Sequence, residues 1–113
     1  MYKIRIMKPA QIEMREIYRY IADDLHNPIA AARRISLIDD AIQSLRESPA
    51  RFALVQDDYL ASKGYRVIVV KKHLVFFVVR EHERVVSVMR VLYGRRDWMR
   101  LLKLEAERVT EED

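Results

Sequence analysis

The side chains able to do chemistry crowd into residues 63–103. That stretch holds eleven basic residues: Lys63, Arg66, Lys71, Lys72, Arg80, Arg84, Arg90, Arg95, Arg96, Arg100 and Lys103. It holds only three acids, Glu81, Glu83 and Asp97. Residues 1–62 carry equal numbers of each sign and residues 104–113 are acidic, so a net charge of +4 conceals a polarised molecule. A local excess of cations suits a partner built of phosphates or acidic side chains. Lys71, Lys72, His73, Arg80, Arg90 and Arg95 are the candidate contacts to such a partner. The competing structural explanation is that they are ordinary solvated charges on strand edges and turns.

Several chemistries are excluded. His26, His73 and His82 have no metal-ligand spacing to one another or to an acid, and the chain has no cysteine, so neither a metal centre nor thiolate chemistry is expected. Gly64 and Gly94 are the only glycines, which leaves no phosphate-cradling loop. No cofactor is expected. No apolar run approaches the eighteen or so residues of a membrane span, and the N-terminus alternates instead of forming a signal core. A cytoplasmic protein with no membrane partner is the expectation.

The elements that must position these charges follow from periodicity. Tyr2, Ile4 and Ile6 alternate as a half-buried strand. Pro9 opens a helix with Met14, Ile17, Tyr18, Ile21 and Leu25 on its apolar face. Asn27 as N-cap and Pro28 as first helical residue start a second helix, whose stripe is Ala31, Ile35, Ile38, Ile42 and Leu45. So short a break makes the two an antiparallel hairpin. Residues 50–63 form a long connector, expected to be pinned by Phe52, Leu54, Val55, Tyr59 and Leu60.

Three runs rich in Val and Phe, residues 65–70, 74–80 and 85–93, read as an antiparallel meander. Within the third, period-two alternation groups Arg90 with Val86, Val88 and Leu92, which puts it at the rim or against a carboxylate such as Asp97. Asp97 is a plausible cap for a closing helix with Trp98, Leu101 and Leu102 on one face. The order β-α-α-β-β-β-α predicts an α+β domain, with a helical hairpin packed on one face of a mostly antiparallel sheet. Residues 1–104 are expected to be one domain and residues 105–113 an acidic C-terminal tail.

Three segments carry a resemblance. They are Tyr20-Ile21-Ala22 ahead of the Asn-Pro start, Leu74-Val75-Phe76-Phe77, and above all Arg90-Val91-Leu92-Tyr93-Gly94-Arg95-Arg96-Asp97-Trp98. With the element order, they resemble the RelE/ParE superfamily, the toxin halves of bacterial type II toxin–antitoxin pairs, over residues 2 to about 102. The resemblance implies a cognate antitoxin protein as partner, wrapping the toxin with an extended segment. It also implies one of two actions on one fold. RelE-type members cut messenger RNA on the ribosome without a metal; ParE-type members poison DNA gyrase.

For the nuclease, the resemblance assigns catalysis to Arg66, Tyr93 and Arg96. They would assist loss of the 2′-hydroxyl proton, stabilise the phosphate and protonate the leaving oxygen. Two departures weaken that assignment. Leu74 stands where those enzymes usually carry an arginine on the scissile phosphate, and Ile68 stands where a second basic residue is expected. One such donor is worth about 3–4 kcal/mol in the transition state. The reading is therefore ParE-like, aimed at gyrase or another non-nuclease target. Ribosome-dependent mRNA cleavage is the alternative, and an inert member that only binds its antitoxin is a third.

Overall fold

The computed structural model describes residues 1–94 and 96–112, with side chains as far as Arg108. Arg95, a candidate contact, lies outside the described residues, as does Asp113. The elements are β1 (Lys3–Ile6), α1 (Lys8–Arg19), α2 (Pro28–Gln43), the single turn α3 (Asp58–Ser62), β2 (Tyr65–Val70), β3 (His73–Arg80), β4 (Val85–Tyr93) and α4 (Trp98–Glu112). The strands make one sheet in the order β1-β4-β3-β2. The meander is antiparallel, and β1 lies parallel to β4 with Ile4 opposite Val86 and Ile6 opposite Val88.

The helical hairpin forms as its start signals require. Pro9 sits in the first turn of α1, and the Asn27 side chain accepts from the Ala30 N–H at 3.1 Å at the head of α2. Ala31, Ile38 and Ile42 are fully buried along α2, and Leu45 in the 3-10 turn that follows it. The stripe of α1 is interrupted, however. Tyr20–Asp24 is a π turn, whose extra residue breaks the 3.6-residue period, and Leu25 beyond it is exposed. Tyr18, expected inside, is also exposed.

Both faces of the sheet are covered. Ile38, Ile42 and Leu45 of the hairpin pack with Ile68, Val75, Phe77, Val86, Val88 and Val91. On the other face α3 and α4 supply Leu60, Leu102 and Ala106 against Tyr65, Phe76, Met89 and Leu92. The expectation of one covered face is incomplete because α4 folds back across the sheet. Residue 105, the expected start of the tail, lies within α4. The helix runs unbroken to Glu112, and Ala106 is buried against the second face. The connector is pinned as expected at three points: Phe52 stands edge-on to Phe77 at 6.2 Å, and Val55 and Leu60 are buried, whereas Leu54 is exposed.

Candidate functional site

Cations gather at the end of the sheet where β2 turns into β3 and β4 runs out. Lys71 and Lys72 form the tight turn, with Lys71 at a φ of 57°. Gly94 closes on that turn, its N–H donating to the Lys72 carbonyl at 2.9 Å. A Cβ at Gly94 would lie 3.4 Å from that same carbonyl oxygen, so the link packs closely on the turn. His73 pairs with Tyr93 across the β3–β4 ladder, their rings 5.8 Å apart. From α2, Arg34 donates to His73 Nδ1 at 3.1 Å. That bond requires an unprotonated Nδ1, and burial followed by the Arg34 charge lowers the His73 pKa. His73 is thus a neutral, buried holder of Arg34 and adds no charge of its own. Lys71, Lys72 and Arg96 are exposed, and among the described residues none makes an ion pair.

The other basic candidates lie elsewhere. Arg66 projects from β2 toward the hairpin face, opposite Phe77, and donates to the Phe52 carbonyl at 2.6 Å and the Ala50 carbonyl at 3.3 Å. It staples the connector. Arg66 lies four β3 positions from Tyr93 and two strands away, on the order of 16 Å at ordinary strand spacings. Arg66, Tyr93 and Arg96 are therefore not one constellation. Arg80, at the far end of β3, donates to the Ser87 hydroxyl at 3.2 Å.

Arg90 is held internally, and a β-bulge decides how. Phe77 pairs with Val88 but Phe76 pairs with Arg90, so Met89 is an extra residue in β4. The bulge carries Arg90 to the face of Phe76 and Leu92, away from Val86 and Val88 with which strict alternation had grouped it. Its partner is not Asp97 but Glu13 of α1, which accepts from Nε at 2.9 Å and Nη2 at 2.6 Å. β1 ends at Ile6, so this part of β4 has no neighbour on that side, and the Glu13 carboxylate also takes the Val91 N–H at 3.0 Å. Hydrogen bonding to Glu13 raises the Arg90 pKa. Neither Glu13 nor Arg34 was singled out from sequence. Each flanks an apolar stripe by one position, a place that points as readily to solvent.

A second buried acid lies on the α4 side. Tyr65 donates to Glu105 at 3.3 Å, and burial raises the pKa of both groups. A carboxyl whose folded pKa is raised stabilises the fold fully below its unfolded pKa and loses that contribution as pH rises through the folded value. Glu105→Gln is thus expected to melt above the parent at neutral pH and with it below the ordinary carboxylate range. Melting curves of both proteins from about pH 3 to 8 check this; a constant difference across that range would contradict it.

Among the described residues no three of His, Cys, Asp or Glu gather as a metal site would need, and no helix is long and apolar enough to cross a membrane. On Leu74's face of the sheet, β2 presents Tyr65, Val67 and Val69 and no cation, and α4 lies over that face.

Comparison with known proteins accords with this architecture. No curated protein sequence matches the chain. Among solved structures, the chromosomal ParDE system from P. aeruginosa superposes with a TM-score of 0.68 at 16% identity, over 82% of this chain and 96% of that one. The RelBE2 toxin–antitoxin complex from Mycobacterium tuberculosis gives 0.58 at 16% identity, over 81% and 96%. The isolated E. coli RelE toxin gives 0.55 at 15% identity, over 96% and 99%. At such identities the likeness establishes a shared fold. The sequence model for the ParE toxin of the type II toxin–antitoxin system parDE matches residues 4–98. With a shared fold and a sequence model matched over most of its length, the chain belongs to the ParE family of type II toxin–antitoxin toxins.

Proposed function

We propose that the chain is a toxin of ParE-like action, inhibiting DNA gyrase in the bacterial cytoplasm without cleaving RNA. One observation carries the reading: the residues a RelE-like site would use do not converge, Arg66 lying on the order of 16 Å from Tyr93 along the hairpin face. Arg66 projects to the hairpin face and is engaged by two carbonyls, whereas Leu74 lies on the α4 face, where β2 offers no cation. Cleavage needs a proton acceptor, a phosphate clamp and a proton donor within hydrogen-bond reach of one phosphate. On the α4 face the polar groups present, Arg90 and Tyr65, are already taken by Glu13 and Glu105.

A cognate antitoxin is the second part of the proposal. A groove of about 400 Å³ runs between the paired helices, lined by Met14, Tyr18 and Ile35 and rimmed by Arg15, Arg19 and Asp23. Exposed Tyr20, Leu25 and Ile29 lie on the same hairpin. Apolar surface edged with arginines suits an acidic amphipathic segment.

Two assays on the purified chain test the target. We expect inhibition of gyrase supercoiling and intact messenger on programmed ribosomes. Codon-dependent cleavage with unimpaired supercoiling would overturn the proposal.

A further inference from the structure

We propose that the end of the sheet around Lys71 and Lys72 is a site for the phosphate backbone of duplex DNA, contacted without reading its sequence. The site stands apart from the gyrase reading: it rests on charge, placement and what the surface lacks.

Four cations meet there from three parts of the chain. Arg34 comes from α2, Lys71 and Lys72 from the β2–β3 turn, and Arg96 from the link between β4 and α4. The link is tied to the turn through Gly94 and the Lys72 carbonyl, and Arg96 N–H bonds back to the Tyr93 carbonyl at 3.0 Å. Arg34 is oriented by His73 without being neutralised. Neither residues 64–80 nor residues 85–96 contain an acid, and Asp97 is the acid nearest in sequence. The acids Glu81 and Glu83 lie in the β3–β4 turn at the opposite end, where Glu81 accepts from the Tyr2 hydroxyl. Asp97, beside Arg96, is an acid at the cationic end, where the described cations outnumber it; such an imbalance orients the molecule toward a polyanion.

The class of polyanion follows from the rest of the surface. Proteins that hold single strands stack successive bases on rows of aromatic side chains. Here Tyr93 is 38% exposed and already lies against the His73 ring, and no second aromatic of this end is exposed among the described residues. Among the described residues this end is made of the β2–β3 turn and the link from β4 to α4, both tied into the sheet, and neither is a free helix that could enter a groove and read base edges. What remains is lysine and arginine on a blunt end, which is backbone contact.

The test is fluorescence anisotropy of a labelled 30-base-pair duplex of arbitrary sequence with the full chain, beside DNA and RNA single strands of equal length. Neutralising four phosphates gives a slope of about −3.6 in log affinity against log salt, so raising salt from 50 to 200 mM should weaken binding on the order of a hundredfold. Lys72→Glu with Arg96→Glu should lower the slope by about two and weaken duplex binding at least tenfold at 50 mM salt. Both residues are exposed, and an unchanged melting temperature confirms an intact fold. The site is refuted by undetectable duplex binding at 50 mM salt, by salt-independent binding, or by full binding in the folded double variant. Tighter binding of a single strand would refute it too. Displacement by polyglutamate as readily as by unlabelled duplex of equal charge would reassign the surface to an acidic protein. Duplex binding with unimpaired supercoiling would keep this site and sink only the gyrase reading.

Discussion

Glu13→Ala is expected to destabilise the chain by about 3–5 kcal/mol, the usual consequence of stripping one member from a buried ion pair. The Glu13 and Arg90 side chains are only 9% and 16% exposed. Alanine would leave the guanidinium with little water and orphan the Val91 N–H at the unpaired margin of β4. Each loss is of the costly kind, in which a buried polar group survives without its partner. Urea denaturation of parent and variant measures the effect, and a melting shift on the order of 10–20 °C should accompany it. Removing both partners, as in Glu13→Leu with Arg90→Leu, should recover much of the loss, since apolar replacements of buried pairs are often neutral. A single-variant cost below about 1 kcal/mol would mean that water reaches the pair.

Phe76→Ala should be of similar size, about 3–5 kcal/mol, through a cavity in a fully buried site. Its consequence differs because of where the cavity opens. Phe76 lies under α4, its ring 5.1 Å from that of Trp98. Trp98 is the only tryptophan in the chain, so its fluorescence reports the seating of α4 alone. A red-shifted emission in the variant under native conditions is the expected signature. Phe77→Ala removes an equally buried ring from the hairpin face and should cost about the same while leaving Trp98 emission unmoved. Equal spectral shifts in the two variants would show that the two layers do not respond separately.

The contrast between these faces marks where the sequence stopped being legible. The Asn27-Pro28 start and the Ala31–Leu45 stripe were readable because caps and helical periodicity act over a few residues. The three strands of the meander were readable for the same reason. Alternation held along β2, β3 and the first half of β4. It failed at Met89, where one extra residue in a ladder reverses every later side chain and no composition signal marks the insertion. The charge excess was visible as a count. Which of its members would remain free was not.

By itself, then, the sequence determined the α+β class, the order and limits of most elements, and the residues that fill the hairpin side of the core. Tertiary structure alone decided that α4 closes the second face, that Arg66 staples a connector, and that Arg90 is captured by Glu13, 77 positions away. It also brought Arg34 to the lysine turn. The physical reason is range. Helix caps and apolar periods are local consequences of backbone geometry, whereas a charge finds its partner only after distant segments have been packed together. In this chain that packing separates a cation that holds the fold from one left exposed at the surface.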